Sequence, residues 1–196
     1  YSCTVTASNG IGSPTTLPIT ININLAPSFT SAATTTFVVG TNGSFNVTAN
    51  GSPAPTFSTA SALPSGVSLT TGGLLSGIPG AGTGGTYPLT LTATNGVAPN
   101  ATQSFSLQVN QAPTIGAIGT PTFTIGTAGS VTFTTTGVPV PTTALTGCTL
   151  PPNLTLSGNT ISGTPAVGAT TVTNCVITAA NGVGSPAVSP AFSVVI

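Results

Sequence analysis

The sequence predicts an all-β protein made of tandem antiparallel β-sandwich domains, with a period of 86 residues and no helix of note. The first observation behind this prediction is a segment that ends in Asn-Gly and occurs three times, at residues 3–10, 89–96 and 175–182. Equivalent residues of these segments lie 86 positions apart, and a fixed long period is typical of repeat proteins. The second observation is the alternation of apolar and polar residues, which indicates half-buried strands, whereas no helical periodicity persists.

The composition of the chain excludes several classes of function. It has no Asp, Glu, Lys, Arg or His, although 39% of its residues are hydrophobic. Disordered chains are usually poor in hydrophobic residues and rich in charge, so this composition indicates a folded protein. Without basic residues the chain cannot bind nucleic-acid phosphates or anionic lipids by charge. No apolar run approaches the roughly 20 residues of a spanning helix, so we expect no membrane insertion in this segment.

Residues 1–25 are predicted to form two strands that are joined by a turn at residues 9–14. The Asn-Gly pair in this turn supplies left-handed backbone conformations at low cost. In the second strand Ile19, Ile21 and Ile23 alternate with polar residues. We interpret this segment as the C-terminal hairpin of a preceding, incomplete repeat, whose missing strands come from upstream chain or from a neighbouring subunit.

Ala-Pro pairs at residues 26–27 and 112–113 mark the predicted boundaries of two complete repeats, 26–111 and 112–196. Each repeat is predicted to hold about seven short strands with closely spaced turn signals, which is typical of an immunoglobulin-like antiparallel β-sandwich. The residues predicted to face inward in the first repeat are Phe45, Val47, Ala49, Tyr87, Leu89, Leu91, Ala93, Phe105, Leu107 and Val109. Matching landmarks of the second repeat are Gly129, Pro139, Pro141, Ile161, Phe192, Val194 and Ile196.

Four motifs of the first repeat carry a family resemblance. They are Leu-Pro-Ser-Gly-Val at 63–67, Leu-Ser-Gly-Ile-Pro at 75–79, Gly-Thr-Gly-Gly-Thr-Tyr at 82–87 and Ala-Thr-Asn-Gly-Val at 93–97. The chain resembles the immunoglobulin-like (cadherin-like) tandem repeats of large bacterial surface proteins. The resemblance implies the sandwich fold and an extracellular or cell-surface location, but no particular activity. Related cadherin-like domains bind Ca²⁺, yet residues 68–73 contain no carboxylate here, so calcium binding is not expected.

The side chains needed for catalysis are almost entirely missing. General acid–base chemistry would have to rely on Tyr1, Tyr87 or one of three cysteines, and no Ser or Thr has a base partner. Tyr87 is at an inward strand position, so we expect it to be a core or edge aromatic residue. The sequence therefore predicts that the chain is not an enzyme and has neither a metal site nor a cofactor.

The cysteines indicate a disulfide. Cys148 and Cys175 lie 27 residues apart in the second repeat, and Cys175 occupies the inward position that Leu89 has in the first repeat. We predict that they pair. Chain-entropy estimates give a stabilisation of the folded repeat by such a disulfide of about 3.5 kcal/mol. The alternative is two free thiols that act as small core hydrophobes. Cys3 is at the Cys175 position of the hairpin and is predicted to be unpaired, or paired with an upstream or intersubunit cysteine.

Five asparagines begin Asn-x-Ser/Thr triplets and are candidate glycosylation sites: Asn42, Asn46, Asn50, Asn100 and Asn153. Chance is the alternative explanation, because Asn, Ser and Thr are frequent in this chain. Asn46 is expected to face outward, opposite to Phe45 and Val47. Attached glycans would provide the hydration that charged side chains normally provide.

The absence of charge also points to a function. Soluble proteins use charged side chains to stop sheet edges from pairing, so a chain without them tends to associate. The sequence predicts a structural repeat segment of an extracellular filament or cell-surface fibre that self-associates through uncharged β-sandwich surfaces. The alternative is an adhesin or binding module that displays the loops at 80–85 and 95–100 to a glycan or protein ligand.

Overall fold

The computed structural model describes residues 1–196 and contains 19 β-strands. No helix in it is long or apolar enough to cross a membrane. The strands form an N-terminal hairpin and two sandwich repeats, and β11 (Ala101–Ile115) continues from the first repeat into the second. Each repeat has its own apolar core.

The N-terminal hairpin consists of β1 (Ser2–Ala7) and β2 (Thr15–Thr20), which pair antiparallel with Cys3 opposite Ile19. In its turn the side-chain oxygen of Asn9 accepts a 3.0 Å hydrogen bond from the Ile11 amide. This Asx turn is the reason that Asn precedes Gly at the end of the recurring strand.

The first repeat is built by nine strands in two layers. They are β3 (Leu25–Phe29), β4 (Thr34–Val38), β5 (Gly43–Asn46), β6 (Ala49–Ser52), β7 (Thr56–Thr59), β8 (Val67–Leu69), β9 (Leu74–Gly77), β10 (Gly85–Thr94) and β11 (Ala101–Ile115). One layer has the order β4-β11-β10-β7, and the other contains the pair β3-β6 and the sheet β5-β9-β8. The sandwich is antiparallel, as predicted, except that β4 runs parallel to β11.

The second repeat follows the same plan with eight further strands. They are β12 (Gly129–Thr132), β13 (Thr135–Val138), β14 (Thr142–Thr146), β15 (Leu154–Ser157), β16 (Thr160–Gly163), β17 (Val172–Ala180), β18 (Ala187–Val188) and β19 (Phe192–Val194). One layer joins β14, β17, β18 and β19, and the other has the order β12-β16-β15. A parallel bridge between Thr122 and Val195 corresponds to the β4–β11 pair of the first repeat. The long strand β11 also pairs with β13, so it belongs to both repeats.

The predicted alternation along the recurring strand and its return strand is confirmed. In the first repeat Leu89, Leu91 and Ala93 of β10 are buried against the inward residues of β11, while the residues between them are not. The inward residues of β11 are Phe105, Leu107 and Val109. In the second repeat the corresponding positions of β17 are Cys175, Ile177 and Ala179, which are all fully buried. The recurring strand is therefore the centre of each core.

Tyr87 has a more specific role than the core or edge position predicted from sequence. Its side chain is half-buried, and its hydroxyl donates a 2.9 Å hydrogen bond to the carbonyl of Thr83. It stands two residues before Leu89, the position that Cys175 has in the second repeat. A tyrosine at this place whose hydroxyl bonds back to upstream backbone is the tyrosine corner of immunoglobulin-like sandwiches.

Replacing Tyr87 by Phe should lower the free energy of unfolding of the first repeat by about 1 kcal/mol, because one partly buried hydrogen bond is lost. Urea titration followed by NMR signals of β10 measures this change. Tyr1→Phe is the matched control, since Tyr1 occupies the same position in the hairpin but is 82% exposed. Equal effects of the two substitutions would contradict a corner role for Tyr87.

Candidate functional site

The structure brings no catalytic or metal-binding set together. No group of three His, Cys, Asp or Glu residues is close enough to hold a metal ion. The titratable groups are the N-terminus, two tyrosines and three cysteines. Of these, Tyr87 is engaged with Thr83, and two cysteines are joined in a disulfide. The features that remain as candidates for function are surfaces and junctions between repeats.

Cys148 and Cys175 form a disulfide in the second repeat, with their Cα atoms 4.8 Å apart. Cys175 is fully buried in β17, and Cys148 is half-buried just after β14. The bond therefore ties a surface loop to the centre of the core. In the first repeat the positions 86 residues earlier are Ala62 and Leu89, which have no covalent link; Leu89 is buried in the apolar core, whereas Ala62 is exposed.

The N-terminal hairpin exposes a face that is buried in both full repeats. Val5 is 52% exposed and Ile21 is 50% exposed, although the equivalent residues Leu91 and Leu107 of the first repeat are 0% exposed. The free Cys3 lies on this face and is also exposed. The register is the same in the two units, because Cys3 pairs with Ile19 as Leu89 pairs with Phe105. The hairpin thus has the strand pairing of a core without the layer that normally covers it.

The five candidate glycosylation sites all lie on the surface. Asn42, Asn46, Asn50, Asn100 and Asn153 are exposed, and Asn46 faces outward while Val47 beside it is buried. Asn46 ends β5, Asn50 lies in β6, and the other three are in turns or next to strand ends. Accessibility is a requirement for glycosylation, and these five side chains meet it. Their modification stays a prediction.

The asparagines at the end of the recurring strand lie at the junctions between units. The side-chain amide of Asn95 donates 2.8 Å hydrogen bonds to the carbonyls of Leu25 and Pro53. Asn181 donates bonds of the same length to the carbonyls of Gln111 and Pro139. All members of the second set lie 86 residues after those of the first.

A second contact supports the junction between the two full repeats. The side-chain oxygen of Gln111 accepts a 3.2 Å hydrogen bond from the amide of Gly84, in the loop that precedes β10. Farther along, Thr114 of β11 and Thr136 of β13 join their hydroxyl groups at 2.6 Å. The end of the first repeat, the linker and the start of the second repeat are thus connected by side chains.

Sequence reasoning missed the junction role of Asn95 and Asn181, since it explained the Asn-Gly pair by turn conformation alone. The bonds formed by Asn95 cross 42 and 70 residues of sequence, so local patterns do not show them. A signal was nevertheless present. Gly51 and Pro53 recur as Gly137 and Pro139 with the period of the asparagines.

Comparison with known proteins supports the immunoglobulin-like fold. Residues 26–110 match the family model described as "Putative Ig domain". No curated protein matches the chain. The match covers less than half of the chain and, with the two sandwich repeats, it defines the fold class: tandem immunoglobulin-like β-sandwiches, the first of which is similar to that domain family.

Three solved structures illustrate the likeness. The I-band fragment I67-I69 from titin has a TM-score of 0.60 and 18% identity, and the match covers 99% of this chain and 73% of that one. Sidekick-1 immunoglobulin domains 1-4 have a TM-score of 0.57 and 17% identity, and the match covers 96% of this chain and 56% of that one. Dpr2 Ig1-Ig2 in complex with DIP-Theta Ig1-Ig3 has a TM-score of 0.56 and 15% identity. The match covers 93% of this chain and 68% of that one. At these identities the likeness shows the fold alone.

Replacing Cys148 by Ala and Cys175 by Leu copies the Ala62–Leu89 pair of the first repeat. We expect the free energy of unfolding of the second repeat to fall by about 3 kcal/mol, because the unfolded chain is no longer constrained by a loop. Denaturant unfolding with and without a reducing agent measures the change. The reductant should weaken the native second repeat, leave the double variant unchanged, and have no effect on the first repeat. A native second repeat that resists full reduction without losing stability would contradict this expectation.

Proposed function

We propose that this chain is a structural repeat segment of an extracellular filament or cell-surface fibre, and that copies associate through uncharged β-sandwich surfaces. The observation that carries the proposal is the complete absence of charged side chains from a folded, tandem-repeat surface. Charge repulsion is the usual means by which soluble proteins stay apart. Its absence favours lateral and end-to-end contacts.

The sheet edges support self-association. In the first repeat β8 has a partner only on the β9 side, and β7 is an edge strand beside β10 whose Phe57 amide also bonds to the Thr71 carbonyl. In the second repeat β14 and β15 are edges in the same way. The edge sequences, such as Thr-Phe-Ser-Thr in β7, contain neither Lys nor Pro, which are the residues that commonly block edge pairing. Such edges can accept a strand from a neighbouring copy.

The N-terminal hairpin is, on this proposal, the last strand pair of a preceding repeat. Strands of the same kind as the opposite layer of the first repeat (β3, β5, β6, β8 and β9) would cover Val5, Ile19 and Ile21. The cysteine that pairs with Cys3 would then lie 27 residues before it, as Cys148 lies before Cys175. Disulfides persist in oxidising compartments, which supports an extracellular or cell-surface location.

The adhesin alternative has less support, because its two candidate loops are occupied by structural contacts. In the loop at 80–85, the Thr83 carbonyl accepts the Tyr87 bond, and the Gly84 amide bonds to Gln111. In the loop at 95–100, Asn95 bonds to Leu25 and Pro53. Both loops thus lie at ends where the next unit attaches, which suits an array better than a ligand-binding tip.

Electron microscopy of the native material tests the fibre proposal. We expect ordered polymers with an axial repeat set by the sandwich domains, and no change in assembly between about pH 3 and pH 8, because no side-chain type that normally titrates there is present. In these polymers Cys3 should resist alkylation, whereas it should react in the isolated chain of 196 residues, where it is exposed.

Two results would contradict the proposal, the first as a whole and the second in the part that concerns the hairpin. Native material that consists of monomers with a tight glycan or protein ligand would favour the adhesin alternative. Ordered polymers in which Cys3 remains reactive would retain the fibre but exclude the proposed completion of the hairpin.

Glycosylation is a separate part of the proposal, supported by the exposure of all five candidate asparagines. We expect peptides of the native material that contain these asparagines to exceed the masses of their sequences by whole glycans. Asn46→Gln in the native host should remove one glycan mass. Asn22→Gln is the control, because Asn22 is exposed but does not begin an Asn-x-Ser/Thr triplet. Native peptides whose masses equal those of their sequences would show that the triplets occur by chance.

A further inference from the structure

We propose that Asn95 and Asn181 are junction locks, side chains that fix the angle between consecutive units of the array. The role is a positioning one and differs from the turn-forming role of the Asn-Gly pair. It deepens the proposed function, because it says what would make such an array stiff. The lock itself is argued from contacts within one chain, so it does not depend on whether copies polymerise.

Asn181 uses all parts of its side-chain amide. One N–H donates to the Gln111 carbonyl and the other to the Pro139 carbonyl, each at 2.8 Å. The side-chain oxygen accepts a 3.1 Å bond from the Val183 amide. Three chain segments therefore meet at one planar group, namely the linker strand β11, the proline loop between β13 and β14, and the turn after β17. A planar amide with three directed bonds permits only one arrangement of these segments.

Asn95 repeats the arrangement at the other junction. Its amide donates to the carbonyls of Leu25 and Pro53, and its oxygen accepts a 3.1 Å bond from the Val97 amide. The four residues that these bonds join at one junction lie 86 positions from their counterparts at the other. Because both copies have the same bonds with the same lengths, the arrangement is a recurring feature of the repeat.

A glycine beside each asparagine provides the space for the amide. A Cβ atom on Gly137 would lie 2.9 Å from Nδ2 of Asn181 and 3.0 Å from Cγ of Pro141. A Cβ atom on Gly51 would likewise lie 2.9 Å from Nδ2 of Asn95. Real Cβ atoms do not approach this closely, so a side chain here would displace the amide from its carbonyl partners. The glycines are therefore part of the lock.

The lock acts on the angle because of where Gln111 lies. This residue is in β11, which pairs with β10 of the first repeat and then, from Gln111 onward, with β13 of the second. Bending at the junction would have to break the Asn181 bond to Gln111, the strand pairing with β13, or the bond from Gly84 to Gln111. Small junctions between domains usually permit relative motion, so a few directed bonds decide whether this one is stiff.

The hairpin carries the same residue in the same position. Asn9 already accepts the Ile11 amide with its side-chain oxygen, as Asn95 accepts Val97. Its N–H groups are placed to donate to the linker and proline-loop carbonyls of the strands that would complete the hairpin. This extension to Asn9 rests on the proposed function, whereas the role of Asn95 and Asn181 does not.

The test is the relative orientation of the two full repeats in the monomeric chain, measured by residual dipolar couplings. In the native chain and in Asn95→Ala, both repeats should fit a single alignment tensor. In Asn181→Ala they should require two tensors, while the core signals of each repeat remain. Asn95→Ala is the matched control, because it removes the same bonds at the other junction. An Asn181→Ala chain that keeps one tensor with the native orientation would overturn the proposal.

A second variant keeps the test decisive if Asn181→Ala unfolds the second repeat. Asn181→Asp preserves the shape of the side chain and the acceptor for Val183, but it removes both donors at neutral pH. It also introduces the one acidic side chain of the protein. The carboxylate would face two carbonyl oxygens, and only its protonated form can donate to one of them. We therefore expect the couplings of the two repeats to require two alignment tensors at pH 7. In acid the two tensors should become more alike, because the protonated side chain can donate one bond. The native chain should show no pH dependence.

Orientation that is independent of pH in Asn181→Asp, with one tensor throughout, would count against the lock. Failure of the fibre proposal would have no effect on either measurement, because both use dilute monomers. Conversely, ordered native polymers together with a flexible Asn181→Ala junction would support the fibre and the lock independently.

Discussion

The structure depends on one constraint: a chain without charged side chains has to satisfy its polar groups with neutral hydrogen bonds. Backbone hydrogen bonds meet most of this need, and 58 of the 82 lie within the strands. Between strands, threonine pairs take the place that ion pairs have in other sheets. Thr30 contacts Thr48 at 2.8 Å, and Thr114 contacts Thr136 at 2.6 Å. Such cross-strand pairs contribute roughly 0.2–1 kcal/mol each. They are insensitive to salt and to moderate pH, which distinguishes them from surface ion pairs.

The three copies of the recurring strand show how one position can be stabilised in different ways. In the first repeat Leu89 packs in the core, and Tyr87 beside it forms the tyrosine corner. In the second repeat Cys175 is joined to Cys148, and the position of Tyr87 is occupied by Thr173. Each repeat thus has one of the two features that stabilise this strand in immunoglobulin-like sandwiches. Sandwich domains of this size have thin cores, so one such device in each repeat is a sizeable share of its stability.

The sequence was sufficient for the features that depend on local pattern. Alternation along β10 and β11 identified their buried residues because side chains of a strand point to opposite faces in turn. The period of 86 residues identified equivalent positions without any knowledge of the fold. Features that depend on distant partners were not visible. Alternation does not say which strand lies beside β4, so its parallel pairing with β11 was not predicted. The bonds of Asn181 to Gln111 and Pro139 join segments 70 and 42 residues away, and only the fold brings them together.

Stiff junctions and uncharged edges have a combined effect that neither has alone. Sheet edges without charge can pair with the edges of other copies. On a flexible chain they would do so in many registers and give disordered aggregates. A junction with one permitted angle rotates each repeat by the same amount relative to the last. In the proposed array the edge strands β7 and β14 would then recur at fixed positions, as would β8 and β15. Two arrays of this kind can match all their edges at once, so that each contact made lowers the entropic cost of the next. In the proposed fibre, weak neutral contacts that are repeated in register would then be sufficient for order.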